Sequence, residues 1–238
     1  MALRFNRPFG AQIKAISFDL DDTLYYNDEV IVRAEQAQFD AVCERVPAAK
    51  EVGIDPWIAL KWQLAIDDPE IRHDVTHWRK TMIRQGLAMF DLSGHDIEAL
   101  NSHIFDVFYT ARSDFVVPQQ TFDVLAKLAE RFPLIAATNG NADIERIGLA
   151  PYFAAYYRAG QPDVRMKPYP DMLIQAAEQL DIAPQHILHL GDNSETDVGA
   201  ALNAGCSSLW FNPEQKINPL SHLADGEYSD LDDLLQLL

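Results

Sequence analysis

Asp19, Asp21 and Asp22 fall within four positions in "ISFDLDDTLYY", directly after an apolar run. Carboxylates this close repel one another, so the cluster is costly unless a cation sits among them. Further polar groups also follow strand-like runs. Thr138 and Asn139 follow "LIAA", and Asp192 follows "ILHLG", with Asp197 five residues on. Lys167 lies in the loop "RMKPYPD", where Pro168 biases it away from helical geometry. Carboxylates from Asp19 and Asp192, with a backbone carbonyl and waters, make the hard oxygen cage that suits Mg²⁺. Such an ion offsets the repulsion and can hold a phosphate oxygen. Lys167 and the Thr138 hydroxyl can hold the remaining oxygens. One carboxylate can then attack phosphorus, and a second can protonate the leaving alcohol and later activate water. Residues two apart point to opposite faces of a regular strand. Cooperation between Asp19 and Asp21 therefore predicts a turn just after Asp19, with the Asp21 carbonyl free to face the metal.

Elements must bring these residues together. Ile13 to Leu20 reads as a buried strand, as do "PLIAATN", "HILHLGD" and "CSSLWFN". "QQTFDVLAKLAERF", "PDMLIQAAEQLDI", "ETDVGAALNAG" and "DLDDLLQLL" read as helices, and "PYFAAYYRAG" as a short helix or turn entering a strand. Alternation of this kind predicts an α/β fold, a Rossmann-like parallel sheet with helices on both faces. Ligands of such sheets bind at the carboxyl ends of strands, where the polar clusters would meet. Between the first strand and Tyr109 only amphipathic helices are read, including "PEIRHDVTHWRKTMIRQGL" and a segment N-capped by Ser93 with Asp96 three residues later. The expected organisation is a core of residues 1–25 and 112–238 with a helical cap domain, 26–111, inserted after the first strand.

Composition limits the partners. The 238-residue chain is 48% hydrophobic and carries a net charge of −17, which opposes nonspecific binding to nucleic acid or to an anionic membrane. A small phosphorylated metabolite remains compatible, because a local cation can overrule the global charge. Cys43 and Cys206 lack metal-ligand spacing and suit a reducing compartment. The first residues show no signal-peptide pattern and no apolar run reaches the roughly 20 residues that span a bilayer, so a cytoplasmic protein is expected. Oligomeric state is not legible.

Together the motifs resemble a known family. "DLDDTL" resembles the DxDxT nucleophile motif of the haloacid dehalogenase superfamily, "ATNG" its second motif, Lys167 in "KPYPD" its third, and "GDNSETD" its fourth. Order and spacing agree along the whole chain, and the insert is similar to the helical cap of one subclass. The resemblance implies Asp19 as nucleophile and Asp21 as general acid and base. It implies Mg²⁺ held by Asp19, the Asp21 carbonyl and Asp192, with Asp197 behind the metal or the lysine, and phosphate bound by Thr138 and Lys167. Family dehalogenases lack the second acid and need no metal, so Asp21 favours a phosphatase or a phosphomutase. "RFNRPFG", "FDLDDTLYYN", "VPQQT", "TNGNA" and "RAG" are further similar to a bacterial group of cytoplasmic phosphatases. That group acts on flavin mononucleotide and on 5-amino-6-(5-phospho-D-ribitylamino)uracil. The implied activity is hydrolysis of a small phosphomonoester through an aspartyl-phosphate. A phosphomutase, a metal-independent 2-haloacid dehalogenase and a non-catalytic binding module are the alternatives.

Other residues have plainer readings. Asp22 suits local turn chemistry. A backbone N–H near Asn139 on phosphate stands beside a simple strand-end turn. His73 and His77, at i and i+4, could bind a metal on a helix but lack a third ligand, so a polar helix face is the default. His189 reads as a hydrogen-bonded core residue. Trp57, Trp62, Trp78 and Phe108 are expected mostly in the core, Arg72, Arg79 and Arg112 at the surface, and the two cysteines as inert thiols.

Overall fold

The fold is that of a computed structural model, which describes residues 3–218 and 220–238. A short edge strand, β1 (Arg4–Phe5), precedes β2 (Ala15–Phe18), all of whose residues are buried. Five helices follow: α1 (Asp28–Arg45), α2 (Ala49–Val52), α3 (Asp55–Asp67), α4 (Val75–Leu87) and α5 (Gly94–Arg112). Then come α6 (Gln119–Ala129), β3 (Leu134–Thr138), β4 (Ala155–Arg158), α7 (Asp171–Gln179), β5 (Ile187–Gly191), α8 (Gly199–Ala204), β6 (Ser207–Phe211) and β7 (Gly226–Tyr228). The spatial order is β1-β7-β6-β5-β2-β3-β4. All neighbours are parallel except β1 and β7.

The strands are apolar throughout because both faces are covered. On one face Ile16, Phe18, Leu134 and Ala136 join Leu125 and Leu128 of α6. On the other, Ala15, Ile135 and Ala137 pack with Met172 and Leu173 of α7 and Ala200 and Ala201 of α8. Complete burial of Ile16 or Phe18 contributes about 1.5–3 kcal/mol each. From β2 the chain runs outward through β3 and β4, then returns to the other side of β2 with β5 and β6. The strand order therefore reverses beside β2, the place where open α/β sheets leave a crevice.

The helices α1–α5 bury an apolar cluster of their own, including Trp57, Trp78, Ile83, Leu87, Ile104 and Phe108. Ser93 caps α5 by accepting the Asp96 N–H at 3.2 Å, as the sequence predicts. Several elements differ from the sequence reading. The segment read as one helix from Pro69 is a 3₁₀ turn (Pro69–His73) followed by α4. Asp74 divides them, because its carboxylate caps the Thr76 and His77 N–H groups and sets extended backbone there. The helix read from Glu195 begins with a π-turn (Ser194–Val198), and the closing helix is 3₁₀ (Leu231–Leu237). Trp62 is 55% exposed, although its ring packs edge-on against Trp78. Among the described residues no helix is long and apolar enough to cross a membrane.

Candidate active site

The first cluster is placed by β2. The Asp19 N–H donates to Leu190 O at 2.8 Å, which keeps Asp19 alongside β5 as the strand ends. The chain then turns: Leu24 N–H reaches Leu20 O at 2.9 Å, and Asp22 takes a left-handed φ of +58°. Asp22 Oδ1 accepts the Asn27 N–H at 2.8 Å, so this aspartate performs the expected turn chemistry. The turn carries Asp21 to the same end of the sheet as Asp19.

Lys167 lies at the centre. Its ammonium is buried and meets Asp19 Oδ1 at 2.7 Å, Asp197 Oδ1 at 2.6 Å and Ala137 O at 2.6 Å. Its three hydrogens are thereby all engaged. The loop holding it is fixed by the Asn139 side chain, which accepts from Lys167 N at 2.6 Å and donates to Lys167 O at 3.0 Å. Asp197 is reached by the π-turn and also accepts the Asn193 N–H at 3.0 Å, with His189 Nε2 at 3.4 Å. His189 is fully buried and its Nδ1 meets Ser17 Oγ at 3.1 Å, the satisfied core position the sequence suggests. Burial pushes the Asp19 carboxyl well above the usual range against the pull of Lys167. Burial works the same way on Asp197, but Lys167 and His189 overcome it and hold that carboxyl below the usual range.

Asp21 has different surroundings. Its Oδ1 accepts from Tyr25 Oη at 2.7 Å and from Arg112 Nη2. Arg112 ends α5 and is only 2% exposed, and Arg79 at 4% is buried among α1 and α4. Both overturn the expected surface placement, because each has a carboxylate to neutralise it: Asp21 for Arg112 and Glu35, at 3.0 Å, for Arg79. Arg72 is exposed as expected. Thr138 ends β3, and its Oγ1 accepts the Gly140 N–H at 3.0 Å. Arg112 and Tyr25 are missed by sequence reasoning. Only the i, i+4 spacing of Asp21 and Tyr25 within the turn hints at their pairing.

The donor set fits a hard cation. Asp19, Asp192 and Asp197 offer carboxylate oxygens all within 4.8 Å of one another. Asp197 is already committed to Lys167, His189 and Asn193, which leaves Asp19 and Asp192 as the available pair. Asp192 Oδ1 meets Thr23 Oγ1 at 3.3 Å, and burial, with Asp197 and Asp22 nearby, pushes its carboxyl up to about 6. Five carboxylates at this strand edge face two cations, Lys167 and Arg112, so additional positive charge would be favourable. Few protein ligands, all oxygen, is the pattern of Mg²⁺ sites.

His73 and His77 do not share a helix. His73 closes the 3₁₀ turn and its Nδ1 faces Met166 N at 3.2 Å, whereas His77 lies in α4 beyond the Asp74 cap. Burial raises the Cys206 thiol to about 12 and also raises Cys43, which suits unreactive thiols.

The model of the haloacid dehalogenase-like hydrolase family matches residues 13–205. The chain is 42% identical over 212 residues to the 5-amino-6-(5-phospho-D-ribitylamino)uracil phosphatase YigB of Escherichia coli K12, covering 89% of this chain and 88% of that protein. It is 28% identical over 247 residues to the phosphoglycolate phosphatase of the same strain, covering 95% and 92%. A solved 2-haloacid dehalogenase from Pseudomonas syringae pv. tomato superposes with a TM-score of 0.88 at 30% identity, covering 95% of this chain and 98% of that one.

Proposed function

The chain belongs to the haloacid dehalogenase-like hydrolases, and from that premise we propose that it is a Mg²⁺-dependent phosphomonoesterase working through an aspartyl-phosphate. The observation that carries this reading is the second carboxyl, Asp21, beside Asp19 at one strand edge with its own donors. A nucleophile alone suffices to displace a halide. A phosphate ester of an alcohol also needs a proton for its leaving oxygen. Asp21 therefore favours a phosphatase over the activity in the name of the Pseudomonas structure.

In the proposed reaction Asp19, one oxygen fixed by Lys167, presents the other to phosphorus. Asp21 protonates the departing alcohol and then takes a proton from the water that attacks the phosphorylated Asp19. Lys167 offsets phosphoryl charge, while Thr138 and the backbone at Asn139 hold its oxygens. Asp19, the Asp21 carbonyl and Asp192 would hold Mg²⁺. When bound, the ion supplies positive charge that keeps Asp19 ionised and draws a phosphate oxygen. Residues 26–111 act as a cap that covers the leaving group and excludes water. The substrate proposed is 5-amino-6-(5-phospho-D-ribitylamino)uracil, on the strength of 42% identity to YigB over nearly the whole chain; flavin mononucleotide is the second candidate, on the resemblance of the motifs to the phosphatase group that acts on both.

A phosphate-release screen tests this reading. It would contain those two esters, phosphoglycolate, sugar phosphates and nucleoside monophosphates, with 2-chloropropionate in a parallel chloride assay. Phosphate release from the ribityl esters is expected, lost with chelator and restored by Mg²⁺. Chloride release indifferent to chelator would replace the proposal with a dehalogenase.

A further inference from the structure

Arg112 is the least expected residue of the site. A guanidinium that is 2% exposed is expensive to bury unless it has a partner. It spends Nη2 on Asp21, while Nη1 is buried with no partner among the described residues. Its position makes sense through what it does to Asp21. Tyr25, 5% exposed, reaches the same oxygen from inside the turn. Both donors land on Oδ1. Oδ2 accepts no hydrogen bond from the described residues, and it lies over the loop after β3. A Cβ built on Gly140 would fall 2.3 Å from Asp21 Oδ2 and 3.3 Å from Thr138 Oγ1. The free oxygen of Asp21 is thus directed at the loop proposed to hold phosphate.

We infer that Arg112 and Tyr25 are positioning residues for proton transfer: by clamping Oδ1 of Asp21 they aim Oδ2 at the leaving oxygen. The inference rests on the phosphomonoesterase reading. In the first step an Asp19 oxygen bonds to phosphorus as the phosphorus–alkoxide bond breaks, and the proton on Asp21 Oδ2 passes to the alkoxide to give the alcohol. In the second, Asp21 Oδ2 takes a proton from water as the water oxygen bonds to phosphorus and the bond to Asp19 breaks, releasing inorganic phosphate. Small misplacement of a proton donor costs large factors in rate. Because Arg112 is the last residue of α5, the clamp also ties this aim to the seating of the helical insert.

The leaving group provides the test. Flavin mononucleotide, a primary alkyl phosphate, needs its leaving oxygen protonated. p-Nitrophenyl phosphate releases p-nitrophenolate, a stable anion, and does not. The comparison is made on kcat/KM, which reports through loss of the leaving group and is blind to hydrolysis of the intermediate. For Arg112→Ala, kcat/KM on flavin mononucleotide is expected to fall on the order of 10²-fold, at least about ten times more than on p-nitrophenyl phosphate. Tyr25→Phe keeps the ring and should show the same asymmetry at smaller size, and it decides the matter if Arg112→Ala does not fold. In an Asp21→Asn background, Arg112→Ala should add no further loss on flavin mononucleotide. Equal losses on both esters, or losses that multiply in the double variant, would overturn the inference while leaving the phosphatase reading intact. A wild-type enzyme that releases phosphate from neither ester would remove that reading, and the inference with it.

Discussion

Two buried carboxylates share one ammonium at Lys167, and the two do not respond alike. Asp197 is held ionised by Lys167 and His189, whereas burial dominates at Asp19 and disfavours its charge. Removing charge at Asp19 therefore costs little stability, and removing it at Lys167 costs much. Asp19→Asn should abolish phosphate release and melt within a few degrees of wild type. Lys167→Met should also be inactive, but by leaving two acids buried without a counter-charge it should lose about 3–5 kcal/mol in urea unfolding. Similar stability in the two variants would contradict this division. These site residues were legible in the sequence because chemistry demands their types at strand ends and in the loops beside them: Asp19, Thr138, Lys167, Asp192 and Asp197 all come to one edge. Arg112 was not, because a cation in the last turn of an amphipathic helix also suits the helix dipole in solvent. Nor was the Asn139 side chain, whose clamp on the Lys167 backbone depends on loops 28 residues apart.

At the scale of elements, apolar runs buried on both faces made β2, β3, β5 and β6 readable, and 3.6-residue spacing did the same for α1, α5, α6 and α7. Two-residue β1 and three-residue β7 are too short to show periodicity. The break before α4 depends on a single capping aspartate inside an otherwise helical pattern. The insert also carries a polar interior that spacing cannot reveal. Arg79 stacks over Phe108 at 3.7 Å, and its Nη1 donates to the buried Gln38 at 3.1 Å. Lys61 lies 3.5 Å from Glu35 and over the Trp78 ring. Burial and the neighbouring Arg79 push Lys61 down to about 8, against an ordinary value near 10.4. Between these values the unfolded chain binds the proton and the folded one does not, so stability rises with pH across that window. Below pH 8 the benefit is absent, and the buried charge costs on the order of 1–3 kcal/mol. Lys61→Met keeps the apolar stem against Trp78 and leaves Glu35 paired with Arg79. The variant should be more stable than wild type at pH 7, and the gap should close between pH 8 and pH 10 in denaturant titrations. A gap constant with pH would mean that packing, not charge, sets the difference.

Across the whole molecule, the helical segment between β2 and α6 meets the site loops at several points. Thr76 Oγ1 accepts from Asn141 at 3.2 Å, His73 faces the Met166 N–H, and Arg112 holds Asp21. Asp74 also packs closely against Gly160. A Cβ on Gly160 would lie 2.6 Å from Asp74 Cγ, and Gly160 has φ +86°. Asp74 cannot retreat freely, since its Oδ1 caps the Thr76 and His77 N–H groups and starts α4. Gly160→Ala should therefore act in two ways, through backbone strain and through a shifted insert. Gly53 separates them. It has φ +81° but nothing within 4 Å of its built Cβ, so Gly53→Ala carries the strain alone. Each should lose about 1 kcal/mol from the left-handed backbone. Only Gly160→Ala should lose more than that, by weakening the cap on α4 and lifting the insert from the β4–α7 loop. Because Lys167 lies in that loop and Arg112 closes α5, kcat/KM on flavin mononucleotide should fall about tenfold in Gly160→Ala, a displacement effect of the size small misplacements produce. It should stay near wild type in Gly53→Ala. Equal activity in the two variants would show that the insert does not depend on the Asp74–Gly160 contact to seat over the strand edge where the aspartates gather.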